Sequence, residues 1–124
     1  MERITIGPNP KYKELISTVI NDLQQNGVEV SPYLDSGVAK EDISLMHMKN
    51  LQREHFAAID DSEALYVICP DGHIEAFVST MIGYARARGK RIIFSDKPED
   101  LELLALATSH SHVPLDKLAE IKDL

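Results

Sequence analysis

Three short segments carry residues whose chemistry can go beyond packing. Gly7-Pro8-Asn9-Pro10 ends an apolar run, and its glycine can let backbone approach a ligand closely. It lacks the Gly-Lys-Ser/Thr ending of a Walker loop and is not a Gly-x-Gly-x-x-Gly fingerprint. A tight strand-to-helix turn explains the same four residues. Asp60, Asp61 and Glu63 stand just ahead of the most apolar run in the chain. An ionised carboxylate there can accept hydrogen bonds from a sugar hydroxyl or a base edge. A solvated acidic turn is the plainer reading. Pro70-Asp71-Gly72-His73-Ile74-Glu75 then ends that run and opens a helix. It supplies an imidazole at His73 and carboxylates at Asp71 and Glu75, which can satisfy the field of the helix N-terminus themselves.

Two other features carry less. His110-Ser111-His112 offers two imidazoles, but zinc takes three or four protein ligands, and no cysteine or nearby histidine completes the set. No metal and no cofactor are expected. Cys69, the single cysteine, sits at the end of an apolar run and reads as a buried structural thiol. It can form no internal disulfide, which suits a reducing cytoplasm. There is no Gly-x-Ser-x-Gly elbow for a serine nucleophile.

The elements that must position these residues follow from periodicity. Arg3 to Gly7 reads as a short strand, and Asn9-Pro10 as a helix start. Leu15, Ile16, Val19, Ile20 and Leu23 keep a helical period, closed by Asn26-Gly27. Val28 to Tyr33 alternates as a second strand. A helix is expected from about Glu41 to Ile59. Ala64 to Cys69 is a continuous apolar run, as for a strand covered on both faces. Glu75 to Arg88 reads as a helix closed by Gly89, and Arg91 to Phe94 as the fourth strand. Pro98 can open a helix through Leu106, and a last short helix follows Pro114. The order βαβαβαβα predicts a mainly parallel sheet of four or five strands with helices on both faces. Ligands of such sheets sit beyond the C-terminal strand ends, which selects the loops Gly7–Pro10, Tyr33–Lys40 and Cys69–Glu75.

Size and charge bound the rest. The chain has 124 residues, so one domain spanning residues 1–124 is expected. Its 13 Lys+Arg against 20 Asp+Glu give a net charge of −7, which argues against a nucleic-acid polymer and an anionic membrane as partners. One small anionic ligand stays compatible with that charge, because backbone N–H groups bind it locally. No apolar run approaches the ~20 residues of a membrane span.

Several of these segments stand in a recognisable order. Ile6-Gly7-Pro8 is followed by Ile59-Asp60, Glu63 to Val67, Gly72-His73-Ile74, and Ile82-Gly83-Tyr84-Ala85-Arg86-Ala87-Arg88-Gly89-Lys90. In this the chain resembles the nucleoside 2-deoxyribosyltransferase-like family over about residues 3–95. The family pattern runs Gly-Pro; Ile-Asp-x-x-Asp-x-x-Tyr-Val; Gly-Tyr-Ile-Gly; Glu-Ile-x-Tyr-Ala-x-x-x-Gly-Lys. The resemblance implies a flavodoxin-like α/β sandwich of three layers and N-glycosidic chemistry on 2′-deoxynucleosides or their monophosphates. That chemistry uses a carboxylate nucleophile against the anomeric carbon and a proton for the departing base. The resemblance also suggests a homo-oligomer, although the sequence contains no legible interface.

The nucleophile position is where this chain departs. The residue nine places after Gly72 is Met81, whose thioether cannot replace a carboxylate. Glu75 takes the place of the second glycine of Gly-Tyr-Ile-Gly, Val78 that of a small hydroxyl residue, and Glu63 that of the second aspartate. By the resemblance, Gly7, Pro8, Asp60, Gly72, His73 and Glu75 form a cleft with Met81 on its floor. The leading expectation is a divergent member binding a nucleoside or nucleotide-like ligand. The alternatives are an N-glycosidase or transferase using Glu75 or Asp60, and an interaction protein with a closed cleft. With Phe77 and Ala85 at i±4, Met81 also fits an ordinary apolar stripe.

Overall fold

A computed structural model describes residues 1–35, 37–107 and 111–124. Four strands, β1 (Arg3–Ile6), β2 (Glu29–Val30), β3 (Ala64–Val67) and β4 (Arg91–Phe94), form one sheet in the order β2-β1-β3-β4. Every pairing is parallel, with Ile4 beside both Val30 and Ala64, and Leu65 beside Ile92. The helices are α1 (Lys13–Gln25), α2 (Leu45–Asp60), α3 (Ala76–Ala87) and the single turn α4 (Leu101–Leu104). Among the described residues no helix is long and apolar enough to cross a membrane.

The period of two along each strand divides the interior into two cores. Ile4, Ile6, Tyr66 and Ile68 face one side, where they meet Ile16, Val19 and Leu23 of α1 and Leu118 and Ile121 near the C-terminus. Leu65, Val67 and Cys69 face the other, against Ile59 of α2 and Val78, Met81, Ile82 and Ala85 of α3. This is the α/β arrangement, with helices on both faces, expected from the strand and helix order.

Local chemistry moves several boundaries. β2 is shorter than the expected Val28–Tyr33: only Glu29 and Val30 pair with β1, Ser31 N–H adds one bond to the Ile4 carbonyl at 3.0 Å, and Pro32, whose ring fixes φ at about −65°, follows. The helix expected from Glu41 begins instead at Leu45, because Ser44 caps it by accepting the His47 N–H at 3.0 Å. In place of a fifth strand the described residues form one bridge beside β4: Phe94 N–H donates to Ser111 O at 2.6 Å, and Val113 N–H to Phe94 O at 3.0 Å. The Tyr66 hydroxyl donates to the Val113 carbonyl at 2.6 Å from inside the core, anchoring this segment over β3 and β4. The C-terminal segment Leu115–Asp123 is a 3₁₀ helix broken at Lys117, where φ is −128°.

Polar residues also line the interior where the end of α2 packs on β1. Thr5 Oγ1 lies 2.7 Å from Ser62 Oγ and 3.0 Å from Ser31 Oγ, and Ser62 donates to the Ala58 carbonyl at 2.8 Å. Three residues before Ala58, His55 is buried with its Nε2 unpartnered and its ring 5.5 Å from that of Phe77. Burial pushes this imidazole below its ordinary 6.5, against the backbone of Leu34 and the charge of Glu54, which favour the proton. The unfolded chain therefore binds more protons in the window below 6.5. Stability is complete above that value and falls as pH drops toward the folded pKa. His55→Leu is expected to flatten this part of the curve. Urea unfolding of both proteins from pH 7 to about 5 measures it; parallel curves would show that His55 does not set the slope.

Candidate functional site

The strand order reverses between β1 and β3, and the loops leaving their C-terminal ends face each other there. Gly7, Pro8 and Asn9 form one wall of a depression, with His73, Glu75 and Val78 opposite. The cavity between them is about 10 Å³, room for a single water molecule.

Each wall is tied to the sheet. Gly7 N–H donates to Tyr66 O at 3.2 Å, which extends the β1–β3 ladder by one bond. A Cβ at Gly7 would lie 3.2 Å from Val78 Cγ1, so α3 packs directly on this loop. Asn9 then starts a 3₁₀ turn, Pro10–Tyr12, by accepting the Lys11 N–H at 3.1 Å through its side chain. On the other wall Asp71 Oδ1 accepts the His73 N–H at 3.0 Å. Lys11 Nζ lies 3.0 Å from Asp71 Oδ2 and so ties the two loops together beside the depression. Hydrogen bonding from Lys11, with help from the His73 amide, holds the Asp71 carboxyl down to about 2. His73 Nε2 is 3.6 Å from Glu75 Oε1, and both side chains are exposed, Glu75 at 49%.

Of the residues named from the sequence, the structure brings Gly7, Pro8, His73 and Glu75 together. It separates the other three. Gly72 takes a left-handed φ of 76° and turns toward Lys97 and Glu99, where a Cβ would meet Lys97 O at 3.1 Å. Its carbonyl accepts the Glu99 N–H at 2.8 Å. Asp60 ends α2 and precedes β3, so it belongs to the N-terminal end of the parallel sheet, away from the loops. There it accepts the Tyr84 hydroxyl at 2.8 Å and Arg88 Nε at 2.8 Å, while Lys90 donates to its backbone carbonyl at 3.1 Å. Tyr84 first, then Arg88, holds this carboxyl below the usual carboxylate range. Asp60 thus clamps the end of α2 to the end of α3.

Met81 is the third correction. It is 0% exposed and belongs to the core between β3 and α3, with Val67, Val78 and Ile82, and is not the floor of an open cleft. The helical stripe explains it, since i and i±4 positions on α3 face the sheet. Sequence reading missed the Lys11–Asp71 contact, because nothing local links residues sixty positions apart. It also missed His55, whose only signal was a polar residue on the buried face of a helix. His112 Nε2 lies 3.2 Å from Ser95 O, and His110 is outside the described residues. Among the described residues, no three His, Cys, Asp or Glu side chains gather as a metal site requires.

No family model and no curated protein sequence matches the chain. Solved structures do resemble it. A 2-deoxyribosyltransferase from Bacillus psychrosaccharolyticus superposes with a TM-score of 0.73 at 13% identity, over 98% of this chain and 91% of that one. A CMP N-glycosidase from Clostridium botulinum gives 0.62 at 17% identity over 98% of both chains. A conserved protein from Enterococcus faecalis V583 gives 0.64 at 14% identity, over 100% of this chain and 99% of that one. The chain therefore has the 2-deoxyribosyltransferase-like fold, as the sequence resemblance implied.

The burial of Met81 has a measurable consequence. Met81→Glu places a carboxyl in a dry apolar core and is expected to cost roughly 3 kcal/mol or more. Met81→Leu keeps the volume and is expected to cost under about 1.5 kcal/mol. Denaturant unfolding reads both; equal stability of the Glu variant and the parent would place position 81 in contact with solvent.

Proposed function

We propose that this chain is a non-hydrolysing binding protein on the deoxyribosyltransferase-like scaffold, taking a nucleoside or nucleotide-like ligand between the Gly7–Asn9 loop and the start of α3. The observation that carries this is Met81. Glycosyl transfer through a covalent intermediate needs a carboxylate against the anomeric carbon, and the side chain at that position is a buried thioether. What remains around the depression suits binding: close-approach backbone at Gly7, the amide of Asn9, and the imidazole and carboxylate of His73 and Glu75. The CMP N-glycosidase with a similar fold makes CMP and cytidine sensible first probes.

One observation favours an enzymatic reading. Glu75 lines the depression with its carboxylate half in solvent and an imidazole 3.6 Å away. A carboxylate beside a histidine can act as nucleophile or base once a substrate is seated. Asp60 is less favoured in this reading, because Tyr84 and Arg88 hold it at the other end of the sheet. The small cavity supports a third reading, an interaction protein whose cleft stays closed. The leading reading also takes the protein as cytoplasmic and self-associating; the buried thiol of Cys69 suits a reducing compartment.

Thermal shift with cytidine, CMP and the 2′-deoxynucleosides separates these readings. A saturable shift is expected, corresponding to about 2.7 kcal/mol at a hundred times Kd, without release of free base. Base release lost in Glu75→Ala would establish the enzymatic reading instead. Neither shift nor release across the panel would leave the interaction protein.

A further inference from the structure

Lys11 and Lys13, two residues apart, leave the start of α1 toward different loops. Lys13 Nζ lies 2.8 Å from Asp35 Oδ2 beyond β2. Lys11 Nζ lies 3.0 Å from Asp71 Oδ2 beyond β3. Only the second contact joins the two loops that wall the depression: Lys11 stands two residues after Asn9 and Asp71 two before His73, just outside the lining itself. Both partners are held for it. The Asp71 carboxylate is fixed to its own loop by the His73 N–H, and the Asn9 side chain fixes the Lys11 backbone.

The contact has the properties of something that releases. The 3₁₀ turn Pro10–Tyr12 contributes no fully buried residue; Tyr12 packs partly buried against the α1 core, while Pro10 and Lys11 lie toward solvent. The ion pair is exposed, 67% at Lys11 and 36% at Asp71, where such pairs are weak and screened by salt. The Asp71 carboxyl stays ionised across the physiological range, so ionic strength rather than pH governs the pair. Without movement of one wall, about 10 Å³ admits no nucleoside.

We propose that Lys11 and Asp71 form a strap holding the depression closed, and that a ligand enters by releasing it. The second clause rests on the ligand-binding reading above; the first does not.

Amide hydrogen exchange on the whole chain tests the strap without a ligand. Lys11→Met and Asp71→Asn are each expected to speed exchange about two- to fivefold in residues 7–12 and 68–75, the range an exposed ion pair allows. The amides of α1 and β4 should not change. About 0.5 M salt should accelerate the parent in the same segments and leave the variants unaffected. Asp35→Asn removes the neighbouring pair and should not change residues 68–75. Unchanged exchange in both strap variants, or acceleration spread over the whole sheet, would overturn the proposal. Titrating CMP and cytidine into parent and Asp71→Asn then addresses the ligand. Binding about two- to fivefold tighter to the variant supports both clauses. Faster exchange with no binding to either protein upholds the strap and removes the nucleoside.

Discussion

β3 carries side chains on two faces, and both must leave water. From Ala64 to Cys69 every residue is nearly or fully buried, with Tyr66 and Ile68 in one core and Leu65, Val67 and Cys69 in the other. Parallel pairing to β1 and β4 satisfies its backbone, and helices cover both of its faces. Each other placement follows from this strand. α1 lies on the Tyr66 face, α3 on the Leu65 face, and the C-terminal segment is anchored by the Tyr66 hydroxyl.

The packing of α3 on β3 also shapes the depression. Val78 rests against Gly7 and Met81 lies in the core beneath, so the inner side of the depression is apolar. The polar groups stay at the rim, on Glu75 and His73. At the other end of the same helix, Asp60, Tyr84, Arg88 and Lys90 lock α3 to α2. The helix is held firmly at its C-terminal end, and its N-terminal end forms one wall of the depression. That asymmetry suits a loop-mediated opening more than a sliding helix.

Much of this architecture is legible in the residues alone. The apolar run at Ala64–Cys69 marks a strand covered on both faces, and Asn9-Pro10 and Asn26-Gly27 bracket the first helix and its opening turn. The order of Gly7-Pro8, Ile59-Asp60 and Gly83 to Lys90 points to the scaffold. The roles within it are not legible. Asp60 has the residue type of a site and is a clamp, because a motif records spacing and not which end of a parallel strand a residue reaches. Gly72 likewise serves a left-handed turn against Glu99.

The sequence by itself determined the alternation of strands and helices, the apolar faces that pair them, and the absence of a carboxylate at position 81. These are properties of periodicity and residue type, which survive without knowledge of distant partners. Only the tertiary structure decided that Met81 is buried, that Asp60 lies away from the loops, and that Lys11 meets Asp71 across sixty residues of chain. Those outcomes depend on how α3 seats on the sheet and how two loops close over a switch in strand order. Such contacts join segments whose local sequences carry no trace of one another.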